Sequence, residues 1–243
     1  MEDLIKKTVK DTFRFKEFSI DQESCSMKVG TDGVLLGAWT DIGDASSILD
    51  IGAGSGLIAL MLAQRSAAVL HAIEIDEDAW RQASQNFERS KWHSRMTAVH
   101  TPVQEFARIA QDKYDLIVSN PPFFSGGAFS ADQERANVRH TIKLPNGDLL
   151  SAARSLMSKE GRFCVILPLM EGLRFKEMAV NYGLYCNKMT EVRPFANRTA
   201  NRLLLQFEKT EKELIEDSFV IWEKEQEYAK DFITLTEDFY LHF

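Results

Sequence analysis

The run Asp50-Ile-Gly52-Ala-Gly54-Ser-Gly56 follows directly on the apolar pattern SSILDI at 46–51. No other feature restricts the fold as much. Glycine permits left-handed backbone and close approach to a ligand, so a strand ending in this turn passes straight into a helix, here 57–65. The remaining sequence keeps the same alternation. Strands are predicted at 69–75, 96–100, 114–119 and 162–167, and helices at 77–90, 147–158 and 171–182. The segments 184–193 and 202–208 have no helix between them and therefore pair antiparallel. The expected fold class is α/β, a mostly parallel seven-stranded sheet with a C-terminal antiparallel hairpin and helices on both faces.

The 243 residues suit one domain, and no Pro/Gly/Ser-rich linker divides them. Within it, 1–45 reads as a segment flanking the ligand turn, 46–208 as the core and 209–243 as an acidic extension. The opening MEDLIKKTVK has no apolar signal region, and no apolar run approaches the roughly 20 residues of a membrane span. Three dispersed cysteines (Cys25, Cys164, Cys186) fit free thiols in a reducing cytoplasm, with neither disulfide nor metal site expected. The net charge of -7 disfavours a nucleic-acid partner until its distribution is considered. Residues 208–243 hold eleven acids and four bases, whereas 172–209 hold seven bases and three acids. Charge alone is explained most simply by an uneven solvated surface, but the basic stretch leaves phosphate contact open.

The glycine turn departs from the dinucleotide fingerprint, because Leu57 stands where G-x-G-x-x-G needs its last glycine. A pyrophosphate ligand is therefore disfavoured. Asp50 at the head of the turn suits a cationic group such as the ammonium of a methionine tail, and so favours S-adenosylmethionine. Glu74, ending the second strand, has the position of an acid that binds both ribose hydroxyls; Asp76 is the nearby competitor. Both acids also fit the start of the following helix. After the third strand, where an acid commonly reads the cofactor adenine, this chain has Pro102. Gln104 or backbone groups take that role in this reading.

The tetrapeptide Asn120-Pro121-Pro122-Phe123 follows the fourth strand, YDLIVS. Carboxyl ends of strands form the ligand crevice of an open α/β sheet. Two prolines stiffen the loop and remove N–H donors, which leaves the Asn120 side-chain oxygen and Pro121 carbonyl as fixed acceptors. Such acceptors suit a planar amine that must become tetrahedral to attack a methyl group. Phe123 offers a face for the base that carries the amine.

Together with Met27–Trp39, Ala72–Asp76, Arg139-His140 and Arg193–Arg198, these motifs resemble the bacterial tRNA1(Val) (adenine(37)-N6)-methyltransferase family over nearly the whole chain. The resemblance implies a Rossmann-like class I methyltransferase fold. It also implies S-adenosylmethionine as cofactor and N6 of adenine 37 in tRNA as the methyl acceptor. Carried over by position, Lys28, Thr31 and Asp32 border the cofactor's methionine end. In a bottom-up reading Gly30 and Gly33 flank a turn there, and Thr31 or Asp32 caps the helix that runs to Trp39. Arg139 and His140 follow a loop expected to close over the target base and are candidate RNA-phosphate contacts. Arg193, Arg198 and Arg202 are candidate tRNA contacts around the terminal hairpin. The acceptor geometry serves any planar NH2, so guanine-N2 and protein-glutamine methylation remain alternatives, as does a module that binds nucleotide without catalysis.

Overall fold

The computed structural model describes residues 11–23, 25, 28–122 and 144–243. It begins with a hairpin of β1 (Thr12–Arg14) and β2 (Ser19–Asp21), followed by α1 (Thr31–Trp39). The alternation then runs β3 (Ser47–Ile51), α2 (Leu57–Arg65), β4 (Val69–Glu74), α3 (Glu77–Glu88), β5 (Met96–His100), α4 (Val103–Ile109) and β6 (Tyr114–Ser119). Next come α5 (Asn146–Leu156), β7 (Met157–Pro168), α6 (Leu169–Val180), β8 (Tyr185–Phe195) and β9 (Arg202–Glu208). The chain finishes with β10 (Ile215–Lys224), β11 (Glu227–Tyr228) and α7 (Lys230–Thr236).

The main sheet has the order β11-β10-β8-β9-β7-β6-β3-β4-β5. The seven expected strands are all present and contiguous, with β7 and β8 each antiparallel to β9. The acidic extension lengthens this sheet. β10 pairs parallel with β8, and its Phe219, Ile221 and Trp222 pack on the core between exposed acids. Alternation along the central strands sends residues to opposite faces. Ile48, Leu70, Ala72 and Val118 join one apolar cluster with α1, α2, α3 and α7; Leu49, Ile51, Ile73 and Ile117 join another with α4, α5 and α6. Full burial of each such side chain contributes about 1.5–3 kcal/mol.

Several boundaries differ from expectation, and the strand expected at 162–167 runs from Met157 to Pro168. The helix predicted to reach 158 stops at Leu156, because residues from Met157 pair with β6 beginning at Tyr114. The helix predicted at 171–182 starts at Leu169, where Pro168 supplies an extended N-cap, and its C-terminal turn leads into Gly183 at φ 65°. Sequence patterning also missed α4 and the β1–β2 hairpin, which are too short to display a period.

Strand order reverses between β3 and β6: β4 and β5 lie on one side and β6 and β7 on the other. Their carboxyl ends thus frame a crevice. Ile51 and Ser119 are register partners there, and the buried Ser119 hydroxyl donates to the Ile51 carbonyl at 2.8 Å.

Candidate active site

The glycine turn leaves β3 with all three glycines left-handed, at φ 73°, 55° and 83° for Gly52, Gly54 and Gly56. L-residues reach this region only at a cost of roughly 1–2 kcal/mol each. The three positions differ in what surrounds them. A Cβ at Gly52 or Gly54 would meet nothing within 4 Å, so this side of the turn is open. One at Gly56 would come within 2.5 Å of the Phe87 ring, so here the turn is pressed against α3. The amides of Gly52 and Ala53 donate to the Ile73 carbonyl and hang the turn on β4.

Glu74 faces that turn. Its carboxylate accepts from the Gly54 amide at 2.9 Å, and from the Ile75 and Asp76 amides at 2.8 and 2.9 Å. Three charge-assisted bonds hold it in one orientation at the end of β4. Asp76 caps α3, accepting from the Ala79 amide at 2.8 Å, so its helix-starting role is the one the geometry displays.

Asp50 is fully buried. One carboxylate oxygen accepts from the Ala59 amide at 3.1 Å in the first turns of α2; the other has no hydrogen-bond partner among the described residues. Burial, and secondarily the charge on Glu74, push its carboxyl up to about 7 despite the Ala59 amide. A buried acceptor without a partner, beside a turn with open space, fits a ligand that brings a positive group. S-adenosylmethionine meets that requirement, with Asp50, Gly52, Gly54 and Glu74 as the residues that would hold it.

Beyond the turn, a cleft is lined by Ile51, Gly52, Ile73, Ile75, Thr101, Pro102, Val103, Gln104 and Leu144. This apolar slot suits a flat ring. Gln104 lines it, but its side-chain amide donates to Asp148 at 2.9 Å, which ties α4 to α5. Pro102 is the N-cap of α4.

The Lys28–Asp32 segment is arranged differently from the sequence reading. Gly30 is the N-cap of α1 and has no side-chain capping bond, so neither Thr31 nor Asp32 caps the helix. Gly33 is inside the first turns of α1, where a Cβ would lie 3.0 Å from Leu57. The lack of a Cβ lets α1 sit close to the start of α2. Asp32 instead pairs with Arg202 at 2.9 Å across 170 positions of sequence, both side chains about three-quarters buried. Lys28 donates to the Gln22 carbonyl at 2.7 Å and lies 3.4 Å from Asp11, bracing the segment after β2.

On the opposite wall Asn120 follows Ser119 directly; it is half-buried, Pro121 is buried and Pro122 is exposed. Because Ser119 is bonded to Ile51, Asn120 begins its loop beside the start of the glycine turn. Phe123, Arg139 and His140 lie outside the described residues.

The basic stretch divides into structural and exposed members. Lys188 lies over the Trp39 ring at 4.7 Å, and Lys209 donates to the Met157 carbonyl at 2.6 Å. Arg193 donates to Glu191 at 2.9 Å, and its Nε is buried without a hydrogen-bond partner among the described residues. Arg198 is exposed in the turn between β8 and β9. β8 ends and β9 begins at the same sheet edge as the crevice, since Arg202 pairs with Pro168 at the carboxyl end of β7.

Sequence reasoning did not single out Ser119 or Asn86, the latter a buried residue of α3 that bonds the Ser55 carbonyl within the glycine turn. The sequence did carry a signal for it: positions 79, 82, 83, 86 and 87 form the buried stripe of α3, and Asn86 is a polar residue in that stripe.

Residues 29–167 match the Methyltransferase small domain family. A relative from Trichodesmium erythraeum (strain IMS101) is 44% identical over 234 residues, covering 95% of this chain and 98% of its own length. Another, from Flavobacterium psychrophilum, is 45% identical over 231 residues and covers 94% and 99%. Both are named tRNA1(Val) (adenine(37)-N6)-methyltransferase. Among solved structures, a predicted O-methyltransferase from Agrobacterium tumefaciens superposes with a TM-score of 0.67 at 16% identity, covering 86% of this chain and 96% of its own. A glycopeptide N-methyltransferase complexed with S-adenosyl-L-methionine reaches 0.54 at 11% identity, covering 74% and 95%. At such identities these structures speak to the Rossmann-like methyltransferase fold alone. With a matched family model over more than half its length and near-complete relatives above 40% identity, the chain belongs to the tRNA1(Val) (adenine(37)-N6)-methyltransferase family.

Proposed function

We propose that this protein transfers a methyl group from S-adenosylmethionine to N6 of adenine 37 in tRNA1(Val), working as one domain in the cytoplasm. Family membership supports the substrate. For the chemistry, one observation carries most weight: the Ser119–Ile51 hydrogen bond, which joins the Asn120 loop to the glycine turn at the strand-order reversal.

S-adenosylmethionine bound along Gly52, Gly54 and Glu74 supplies an electrophilic methyl on a sulfonium. The protein's task is to prepare the amine. An adenine amino group is nearly flat because its lone pair is shared with the ring. The Asn120 side-chain oxygen and Pro121 carbonyl accept its two N–H groups and favour a tetrahedral nitrogen with a directed lone pair. As the new C–N bond forms and the methyl's bond to sulfur breaks, its electron pair staying on the sulfur of the departing thioether, nitrogen becomes positive and both hydrogen bonds strengthen, so they act mainly in the transition state. The extra proton then leaves to water, and no general base with a tuned pKa is needed.

Arg198, Arg193 and Arg202 form a basic rim at the crevice edge for the tRNA backbone. Arg198 is the most exposed of them, while Arg202 also braces Asp32. The remainder of the molecule is acidic, which confines RNA affinity to this rim and makes it salt-sensitive.

The test uses purified protein, labelled S-adenosylmethionine, unmodified bulk tRNA and cellular protein. Digestion should place the label in N6-methyladenosine from tRNA. Label in N2-methylguanosine or methylglutamine would overturn the substrate, and absence of label would overturn the enzymatic reading.

A further inference from the structure

The side chain of Asn86 touches two parts of the molecule that are far apart in sequence. It is 3% exposed and uses its donors and its acceptor at once. Its amide nitrogen donates to the Ser55 carbonyl and to the Asp21 carbonyl, each at 2.9 Å; its oxygen accepts from the Asp21 amide at 3.1 Å. Ser55 lies between Gly54 and Gly56 in the ligand turn, and Asp21 ends β2 of the N-terminal hairpin. We propose that Asn86 is a positioning residue for cofactor binding, one that makes the shape of the glycine turn depend on docking of the N-terminal hairpin. The inference rests on the cofactor reading given above.

Other contacts support this coupling. α3 meets the turn at two successive residues: Asn86 bonds Ser55, and Phe87 occupies the space a side chain at Gly56 would need. On the hairpin side, the Asp21 carboxylate accepts from Thr12 at 2.6 Å and pairs with Arg89 at the end of α3. The chain that continues from β2 folds back on itself, with the Val29 amide donating to the Gln22 side chain at 2.7 Å. That segment places Cys25 within electrostatic reach of Glu74 and of the helix-capping Asp76. Burial, followed by the charges of Glu74 and Asp76, pushes the Cys25 thiol up to about 11. The hairpin anchored by Asn86 therefore sets a segment that borders Glu74, while the same amide fixes the carbonyl between two left-handed glycines.

Packing alone would be served by an apolar side chain, as Ala79, Ala83 and Phe87 serve it beside Gln82 on the same helix face. A buried amide is favourable only when its polar atoms are all paired, and these pairings join two segments in one relative position.

The decisive variant is Asn86→Asp, which keeps the shape and the acceptor for the Asp21 amide but turns an acceptor toward two carbonyls. Calorimetric titration with S-adenosylmethionine should give a Kd about tenfold weaker, equivalent to about 1.4 kcal/mol. In steady-state assays the loss should fall on KM for S-adenosylmethionine rather than on kcat. A merely structural residue would lower Tm and leave KM unchanged well below the transition; that result overturns the inference. Hydrogen exchange on the wild-type protein gives a second test that needs no variant. Adding S-adenosylmethionine should slow exchange at the Asp21 amide together with the amides of 52–59, and slowing confined to 52–59 would also overturn it. A wild-type protein that binds no S-adenosylmethionine would instead overturn the methyltransferase reading, and this inference with it.

Discussion

On the wall of the crevice made by β3 and β4, the groups facing the crevice are backbone, or carboxylates that backbone amides or burial hold in place. On the wall made by β6, β7 and β9, they are side chains on a loop and along a sheet edge. Glu74 accepts three amides, and the turn it faces is hung from Ile73. Arg198, by contrast, projects from an exposed turn. The difference fits the ligands proposed for the two walls. One small molecule of fixed shape rewards a rigid, pre-formed cradle. A long polyanion is bound through charge spread over a surface, where individual side chains need less exact placement. Asn120 belongs to the second wall in sequence but resembles the first in construction, because Ser119 ties it to Ile51.

The largest effect should come from breaking the exception. Asn120→Ala should lower kcat by at least about 100-fold, the scale of losing one pre-placed transition-state hydrogen bond, while Kd for S-adenosylmethionine barely moves. Turnover near wild type would remove Asn120 from the chemistry. An intermediate effect is expected on the RNA wall: Arg198→Glu should weaken tRNA binding about tenfold at low salt and lower the slope of log K against log salt by roughly one or two. Cofactor affinity should be unchanged, and unaltered RNA binding would take Arg198 off the contact surface.

The smallest expected effect sharpens the cofactor wall. Asp50 has its folded-state pKa raised to about 7, above the ordinary carboxylate value near 4. A raised carboxyl favours the fold at low pH, and that contribution fades as pH rises from roughly 4 through 7. Cofactor binding should show the opposite dependence, since a cationic ligand group prefers the ionised carboxylate. Affinity for S-adenosylmethionine should therefore rise severalfold between pH 5.5 and 7.5, and Asp50→Asn should flatten the profile. An equal slope in both proteins would mean that another group titrates.

The sequence disclosed the two walls unequally. The turn from Asp50 to Gly56 and the Asn120–Phe123 run were legible because backbone requirements leave glycine and proline at fixed spacing. The seven core strands were legible from continuous apolar runs between helices. The Asp32–Arg202 pair was not, because nothing local announces a partner 170 positions away. The sheet-extending role of β10 was hidden as well: its apolar run Phe219-Val220-Ile221-Trp222 is short and flanked by acids, and net charge dominates the composition of that stretch. For Lys188 and Lys209, counting charge overstated the basic surface, since both are engaged in packing and hydrogen bonding.

The N-terminal hairpin also closes the molecule end to end. The Lys16 amide donates to the Phe239 carbonyl at 2.8 Å, and the Lys16 ammonium to the Glu237 carbonyl, 221 positions along the chain. Phe13, Phe15 and Tyr240 pack their rings in tilted and edge-on contacts around the same junction. Contacts so far apart in sequence close a long loop, and the entropic cost of closure grows with loop length. In synthesis β1 and β2 are made long before Glu237, 221 positions after Lys16, so the hairpin waits for the segment it seats against. The hairpin that Asn86 joins to the glycine turn thus gains its full set of contacts only once Glu237 and Phe239 exist, which links that turn to residues at the far side of the sequence.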